Sequence, residues 1–140
     1  MAMLIHVDIV SAEAAIYSGQ AELVVAPAEM GEVGIAARHA PFLSRLKPGE
    51  VRVKVTDQEV HPFFISGGMI EVQPHVVTIL ADTAIRAHDI DEAAAQEAKR
   101  QAEEMLADQT GNLDYAKAQA QLVEAMAQLR TLDKYRKGRA

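Results

Sequence analysis

The stretch Asp89-Ile90-Asp91-Glu92-Ala93-Ala94-Ala95-Gln96-Glu97-Ala98 separates two kinds of sequence. Before it, short apolar runs are broken by glycine and proline. After it, alanine dominates and proline is absent. All five prolines precede residue 75, and only Gly111 and Gly138 of the glycines lie beyond residue 70. Proline opposes helix interiors, whereas alanine has the strongest helix propensity. The switch predicts an α+β chain: an N-terminal antiparallel β-sandwich over residues 1–86, then a C-terminal antiparallel α-helical hairpin over residues 87–140.

Upstream, Ile5, Val7 and Ile9 share one parity and His6 and Asp8 the other, the pattern of a half-buried strand. Gln20 to Ala26 repeats it through Ala21, Leu23 and Val25. Val51, Val53 and Val55 alternate with Arg52 and Lys54. Val76, Val77, Ile79 and Leu80 form a denser run that suits a strand buried on both faces. Turn signals such as Lys47-Pro48-Gly49, Ser66-Gly67-Gly68 and Gln73-Pro74 punctuate these runs.

Downstream, Asp89 reads as a helix N-cap, with Asp91 and Glu92 favourable in the first turn. Ile90, Ala94, Ala98, Ala102, Met105 and Leu106 mark one face. Thr110-Gly111-Asn112 reads as a stop and restart, with Asp114 near the start of a second helix. There Tyr115, Ala118, Leu122, Ala125, Leu129 and Leu132 follow the 3-4 spacing of a packed helix. Alanine forms helices readily but buries little area, so the helices should be firm and their attachment weak.

Charge is also divided. Residues 89–128 carry nine acids and three bases, whereas residues 129–140 carry one acid and five bases. A basic tip, Arg130, Lys134, Arg136, Lys137 and Arg139, thus ends an acidic arm. It reads either as a solvated terminus or as a docking element for an acidic partner. The overall net charge of -6 disfavours nucleic-acid binding. No run approaches the roughly 20 apolar residues of a membrane helix, so membrane association is expected only through a complex. The absence of cysteine excludes disulfides and thiolate chemistry.

The residues give no basis for catalysis. Ser66-Gly67-Gly68 lacks the preceding glycine of a nucleophile elbow and reads as a tight bend. His6, His39, His61, His75 and His88 have no helical metal-pair spacing. The carboxylates form no distinctive acid–base pair, and no Walker-type phosphate loop occurs. No enzyme activity, metal or cofactor is expected.

Several segments occur in a specific order: Val10-Ser11-Ala12-Glu13, Gly31-Glu32-Val33-Gly34-Ile35, His39-Ala40-Pro41, Lys47-Pro48-Gly49, Ser66-Gly67-Gly68, Glu71-Val72-Gln73-Pro74 and Val77 to Ala84. Ala98-Lys99-Arg100 and Asp114-Tyr115-Ala116 follow. In this order the chain resembles, over essentially its full length, the epsilon subunit of bacterial F-type ATP synthases. The resemblance implies a non-catalytic central-stalk subunit of a proton-translocating rotary complex. It would be peripheral, on the cytoplasmic face of the inner membrane.

The same resemblance implies that the sandwich binds the gamma subunit and the c-ring, with Glu29, Glu32, Ile35, Arg38 and His39 as c-ring interface candidates. It implies that the hairpin can extend along gamma into the alpha and beta subunits of the catalytic head and block ATP hydrolysis. Arg130, Lys134, Arg136 and Lys137 would then make its basic contacts. An alternative within the resemblance is an ATP-sensing switch. The ATP motif is degenerate here: Ile90, Asp91 and Ala95 are kept, but Ala94 stands where the arginine belongs, and Glu124 and Gln128 stand where binders add arginines. The chain also has Ala37-Arg38 where the resemblance leads one to expect Pro-Gly, which restricts the backbone before His39.

Overall fold

The computed structural model describes residues 3–108 and 112–138. Ten strands come first: β1 (Ile5–Ser11), β2 (Ala15–Ala21), β3 (Leu23–Ala28), β4 (Gly31–Ala36), β5 (Phe42–Leu46), β6 (Gly49–Lys54), β7 (Val60–Ile65), β8 (Gly68–Val72), β9 (Val76–Ala81) and β10 (Ala84–Arg86). A 3-10 turn, Ala87–Asp89, leads to α1 (Glu92–Asp108) and α2 (Asn112–Gly138). The expected stop at Thr110-Gly111 lies outside the described residues, as do the side chain of Asp114 and Arg139 of the basic tip.

The strands form one sheet in the order β10-β7-β6-β3-β5-β8-β9-β1-β2, with β4 paired to β3 off this path. Every ladder is antiparallel except the parallel pair β1–β9. The sheet folds over to make the two sandwich layers, and its end strands meet. There Arg86 Nη2 donates a 2.8 Å hydrogen bond to the Ile16 carbonyl. The Arg86 guanidinium also lies 5.2 Å from the Phe63 ring centroid, which adds a cation–π contact.

Eighteen buried residues, among them Ile9, Val24, Ile35, Val53, Phe63 and Ile79, form one core between the layers. The alternation expected for β1 and β6 holds: Ile5, Val7 and Ile9 are buried, as are Val51 and Val53. Two expectations fail. Gln20 to Ala26 is two strands, because the chain bends at Glu22 between β2 and β3. The bend shifts the phase, so Val24 and Ala26 face the core where Leu23 and Val25 were expected. In β9, Val77 and Ile79 are buried but Leu80 is 52% exposed, so only one face of that strand is covered.

Ser66-Gly67-Gly68 is the bend between β7 and β8. Gly68 has φ +147°, and a Cβ there would stand 2.1 Å from the Leu80 carbonyl oxygen. Both the backbone angle and the close strand approach therefore require glycine.

The cap of α1 is Asp91 and not Asp89: Asp91 Oδ1 accepts the Ala94 N–H at 3.1 Å. Asp89 belongs to the preceding 3-10 turn. The buried face of α1 carries Ala95 and Ala102, while Ala94 and Ala98 are exposed. Ile90 and Ala102 are buried as expected, but in the run of alanines between them hydropathy does not distinguish one face from its neighbour, so periodicity chose Ala94 where Ala95 is buried. On α2, Ala118, Ala125 and Leu132 are buried as expected, but Tyr115 is 45% exposed.

α2 also carries an unexpected second face. Ala127 and Thr131 are buried against the sandwich, where α2 packs on β6 and β7. Thr131 Oγ1 donates to the Ala127 carbonyl at 2.9 Å, so its burial leaves no orphaned hydroxyl. The attachment is one small cluster, Phe64, Ile90, Ala127 and Leu132, fringed by Ile85 and Tyr135. Four buried residues against eighteen in the sandwich make the arm the weaker joint. Each large buried side chain contributes about 1.5–3 kcal/mol.

Candidate functional site: the arm-docking face and the outer sheet

The polar side of β6 meets the end of α2. Glu50 is only 8% exposed, and Arg52 Nη1 lies 2.8 Å from Glu50 Oε1 and 3.3 Å from Glu32 Oε2. The hydrogen bond to Glu50, more than any other contact, holds the Arg52 guanidinium above its ordinary range. One cation thus bridges two carboxylates, leaving the trio with one net negative charge. Beside them a cleft of about 180 Å³ opens between the Lys47-Pro48 turn and α2, and Glu32, Lys47, Glu50, Arg130 and Lys134 line it. Sequence reasoning missed Lys47, Glu50 and Arg52. Glu50 and Arg52 fall on the polar half of the β6 alternation, which reads as solvent-facing, and Lys47 on the Lys47-Pro48-Gly49 turn signal.

The basic tip divides. Arg136 Nη2 pairs with Glu92 Oε2 at 2.8 Å, and Lys137 Nζ pairs with Asp133 Oδ2 at 3.1 Å. The Arg136 hydrogen bond holds the Glu92 carboxyl below its usual range, and the same pair raises Arg136. Among the described residues, no carboxylate oxygen lies within 4 Å of the Arg130 or Lys134 head groups.

The five residues anticipated at a c-ring contact do not gather at one point. Glu29 sits in the β3–β4 turn beside Met30, which is 98% exposed. Glu32 begins β4 and turns toward Arg52 and the docked arm. Arg38 and His39 follow the far end of β4, about 20 Å along the strand. Ile35 is 0% exposed and belongs to the core, so it anchors β4 and drops out as a surface contact. Arg38 adopts φ +66°, the left-handed conformation that glycine takes at least expense. Its N–H donates to the Pro74 carbonyl at 2.9 Å, which ties this turn to the β8–β9 turn. His39 Nδ1 lies 2.7 Å from the Ala40 carbonyl oxygen.

The outer face of β5, β8, β9 and β1 carries exposed apolar residues interleaved with Arg45, Glu71 and Asp8. Leu80 is paired with Met69 on β8 and with Val10 on β1, and Leu43 projects from β5 on the same side. Leu43 is 66% and Leu80 52% exposed. Large apolar residues grouped on one open sheet face mark a contact surface.

Two enzyme-like or ligand-like features resolve into structure. The cleft between α1 and α2, about 360 Å³, is lined by alanines and glutamines with Glu124 as its single charge. Ile90 packs in the docking cluster, Asp91 caps α1 and Ala95 forms the helix seam, so each residue of the degenerate ATP motif has a structural task. Across β1 and β2, His6, Asp8 and Ser18 converge, a grouping that sequence spacing did not indicate. Ser18 Oγ donates to Asp8 Oδ1 at 2.7 Å, and His6 Nε2 lies 3.1 Å from that same oxygen. Ser18 Oγ also lies 3.3 Å from His6 Nε2, but its shorter bond is donated to the carboxylate, whereas a serine nucleophile must donate to the imidazole; the grouping is an exposed hydrogen-bond cluster.

A β-sandwich with exposed apolar residues on one outer face, carrying an acidic helical hairpin with a basic tip on a small packing cluster, has the two-part architecture of a non-catalytic stalk subunit. The chain belongs to the epsilon-chain family of bacterial F-type ATP synthases. The profile "ATP synthase, Delta/Epsilon chain, beta-sandwich domain" matches residues 4–87, and "ATP synthase, Delta/Epsilon chain, long alpha-helix domain" matches residues 88–133. The ATP synthase epsilon chain 1 of Methylococcus capsulatus is 75% identical over 140 residues, covering 100% of both chains. The epsilon chain of Thioalkalivibrio sulfidiphilus is 65% identical over 138 residues, covering 98% of both. The fold is also found in a chain of the Euglena gracilis mitochondrial ATP synthase, with TM-score 0.83 at 20% identity, covering 92% of this chain and 81% of that one.

Proposed function

We propose that this chain works in the central stalk of a proton-translocating ATP synthase, gripping the gamma subunit through the Leu43–Leu80 face and resting on the c-ring through the exposed residues along β4. It is then peripheral on the cytoplasmic face of the inner membrane and couples c-ring rotation to the catalytic head. Its arm is a brake. Docked, it is permissive; released, α2 extends along gamma and carries Arg130, Lys134, Arg136 and Lys137 to acidic surface on the alpha and beta subunits. The observation that carries this reading is the disparity of the two joints: a large sandwich core against a four-residue docking cluster. Two packings of one arm can then lie within a few kcal/mol of each other.

The test is deletion of residues 89–140 in the assembled enzyme. Assembly and ATP synthesis should persist while ATP hydrolysis rises. Unchanged hydrolysis would leave the hairpin without a braking role. Leu80→Glu should separately weaken retention of gamma during purification; full retention would move the grip to another face.

A further inference from the structure

We propose that the cleft between the Lys47-Pro48 turn and α2 binds a phosphate-class oxyanion, held by Lys47, Arg130 and Lys134, and that this site exists only while the arm is docked. Lys47 comes from the sandwich, whereas Arg130 and Lys134 come from one side of α2, four residues apart. The two acids of the cleft, Glu32 and Glu50, are already committed to Arg52. The three remaining cations have no carboxylate within ion-pair distance among the described residues. With Arg52 the cleft holds four cations and two carboxylates, in a chain whose net charge is -6.

Docking therefore brings like charges together, which is unfavourable unless a counter-ion joins them. Arg130 offers a planar fork for a tetrahedral oxyanion, and the two lysines offer point charges from opposite walls. The cleft, about 180 Å³, suits a small tetrahedral ion. The ligand is free inorganic phosphate or the phosphate group of a larger molecule. An anion bound in this way bridges arm and sandwich. If it binds only the docked form, a concentration about ten times its Kd raises the docked-to-released ratio about tenfold. The site is a property of the chain alone and stands whether or not the arm brakes hydrolysis.

The experiment uses the full chain. It has no native cysteine, so Gln58→Cys and Met126→Cys, both at exposed positions, accept a pair of spin labels that report arm docking. Inorganic phosphate is titrated by calorimetry and by label distance, at ionic strength held constant with chloride. Saturable 1:1 binding and a shift toward the docked distance are expected. K47Q, R130Q and K134Q should each weaken binding about tenfold or more, the scale of a lost charge-assisted contact. K99Q, on α1 and away from the cleft, should leave it unchanged. Competition by AMP would extend the site to phosphomonoesters, and exclusion of AMP would restrict it to the free ion; either supports the site. A phosphate response equal to that of chloride, or one unaltered by all three cleft substitutions, overturns it.

Discussion

Arg136 Nη2 lies 2.8 Å from Glu92 Oε2, joining residues 44 apart in sequence and closing the last turn of α2 onto the first turn of α1. Both charges also suit their helix ends, an acid at an N-terminus and a base at a C-terminus. The docked arrangement therefore occupies one of the basic groups that the released arm would present. The pair acts as a latch only while Glu92 is ionised.

That dependence has a definite sign. The folded-state pKa of Glu92 is depressed, so its contribution to hairpin closure is present above the ordinary glutamate range. It is lost as pH falls through the depressed value. Labels placed across the Glu92 and Arg136 ends should separate progressively on acidification below the usual carboxylate range. Glu92→Gln should shift the label distances only modestly toward separation at neutral pH, because an exposed pair contributes little beside the helix packing, and should show no further response from this position. An identical pH profile in the variant would remove the latch.

Phe63 and Phe64 are both fully buried but serve different joints: Phe63 lies in the sandwich core and Phe64 in the docking cluster. Phe63→Ala should lower global stability by about 3–5 kcal/mol in urea unfolding. Phe64→Ala should act first on the arm, accelerating α2 amide exchange while the sandwich midpoint falls less. Equal α2 exchange in Phe64→Ala and the wild type would show that the cluster is not what holds the arm.

Alternation located β1 and β6 because one face of each meets a single core. The same rule failed at Glu22, where a bend reset the phase, and at Leu80, whose exposed face looks buried by hydropathy alone. The hairpin was legible from alanine and the loss of proline, and so was its seam at Ala102, Ala118 and Ala125; the Ala93-Ala94-Ala95 run was misread, because neighbouring alanines carry no facing information. The charged cleft was only half legible: Arg130 and Lys134 stood out as a basic tip, but that they face Lys47 and the Arg52 cluster follows only from tertiary docking.

Gly68 and Gly31 separate two effects usually confounded. Both have positive φ, but a Cβ at Gly68 meets the Leu80 carbonyl oxygen at 2.1 Å, whereas one at Gly31 meets nothing within 4 Å. Gly31→Ala should cost about 1–3 kcal/mol, from backbone strain alone. Gly68→Ala should cost clearly more, since the β8–β9 ladder must also open. Comparable losses in urea unfolding would mean that the strand approach adds nothing.

Arg38 poses the converse case, a side chain where φ is +66°. Arg38→Gly relieves roughly 1–2 kcal/mol of left-handed strain and gives back about 0.4–1 kcal/mol through a freer unfolded chain. Stability should therefore rise by about 0–1.6 kcal/mol in the isolated chain. A loss above 1 kcal/mol would show that the Arg38 side chain supports this turn. If Arg38 contributes to the c-ring contact, the same variant should weaken assembly despite its stability.

The α1–α2 cleft supplies the test of nucleotide sensing. Triphosphate recognition requires cations, and the lining offers Glu124 with no lysine or arginine. Calorimetry of the full chain carrying Lys47→Gln, which disables the phosphate cleft, should therefore show no saturable micromolar binding of ATP. Converting Ala94→Arg alone should not suffice, because Glu124 would compete for the new guanidinium. Ala94→Arg combined with Glu124→Arg removes that acid and places two cations on facing helices; ATP binding should then appear and weaken with salt. Micromolar binding by the unaltered chain that survives Lys47→Gln, and so does not use the phosphate cleft, would show that the hairpin recognises nucleotide without the cations on which this argument depends.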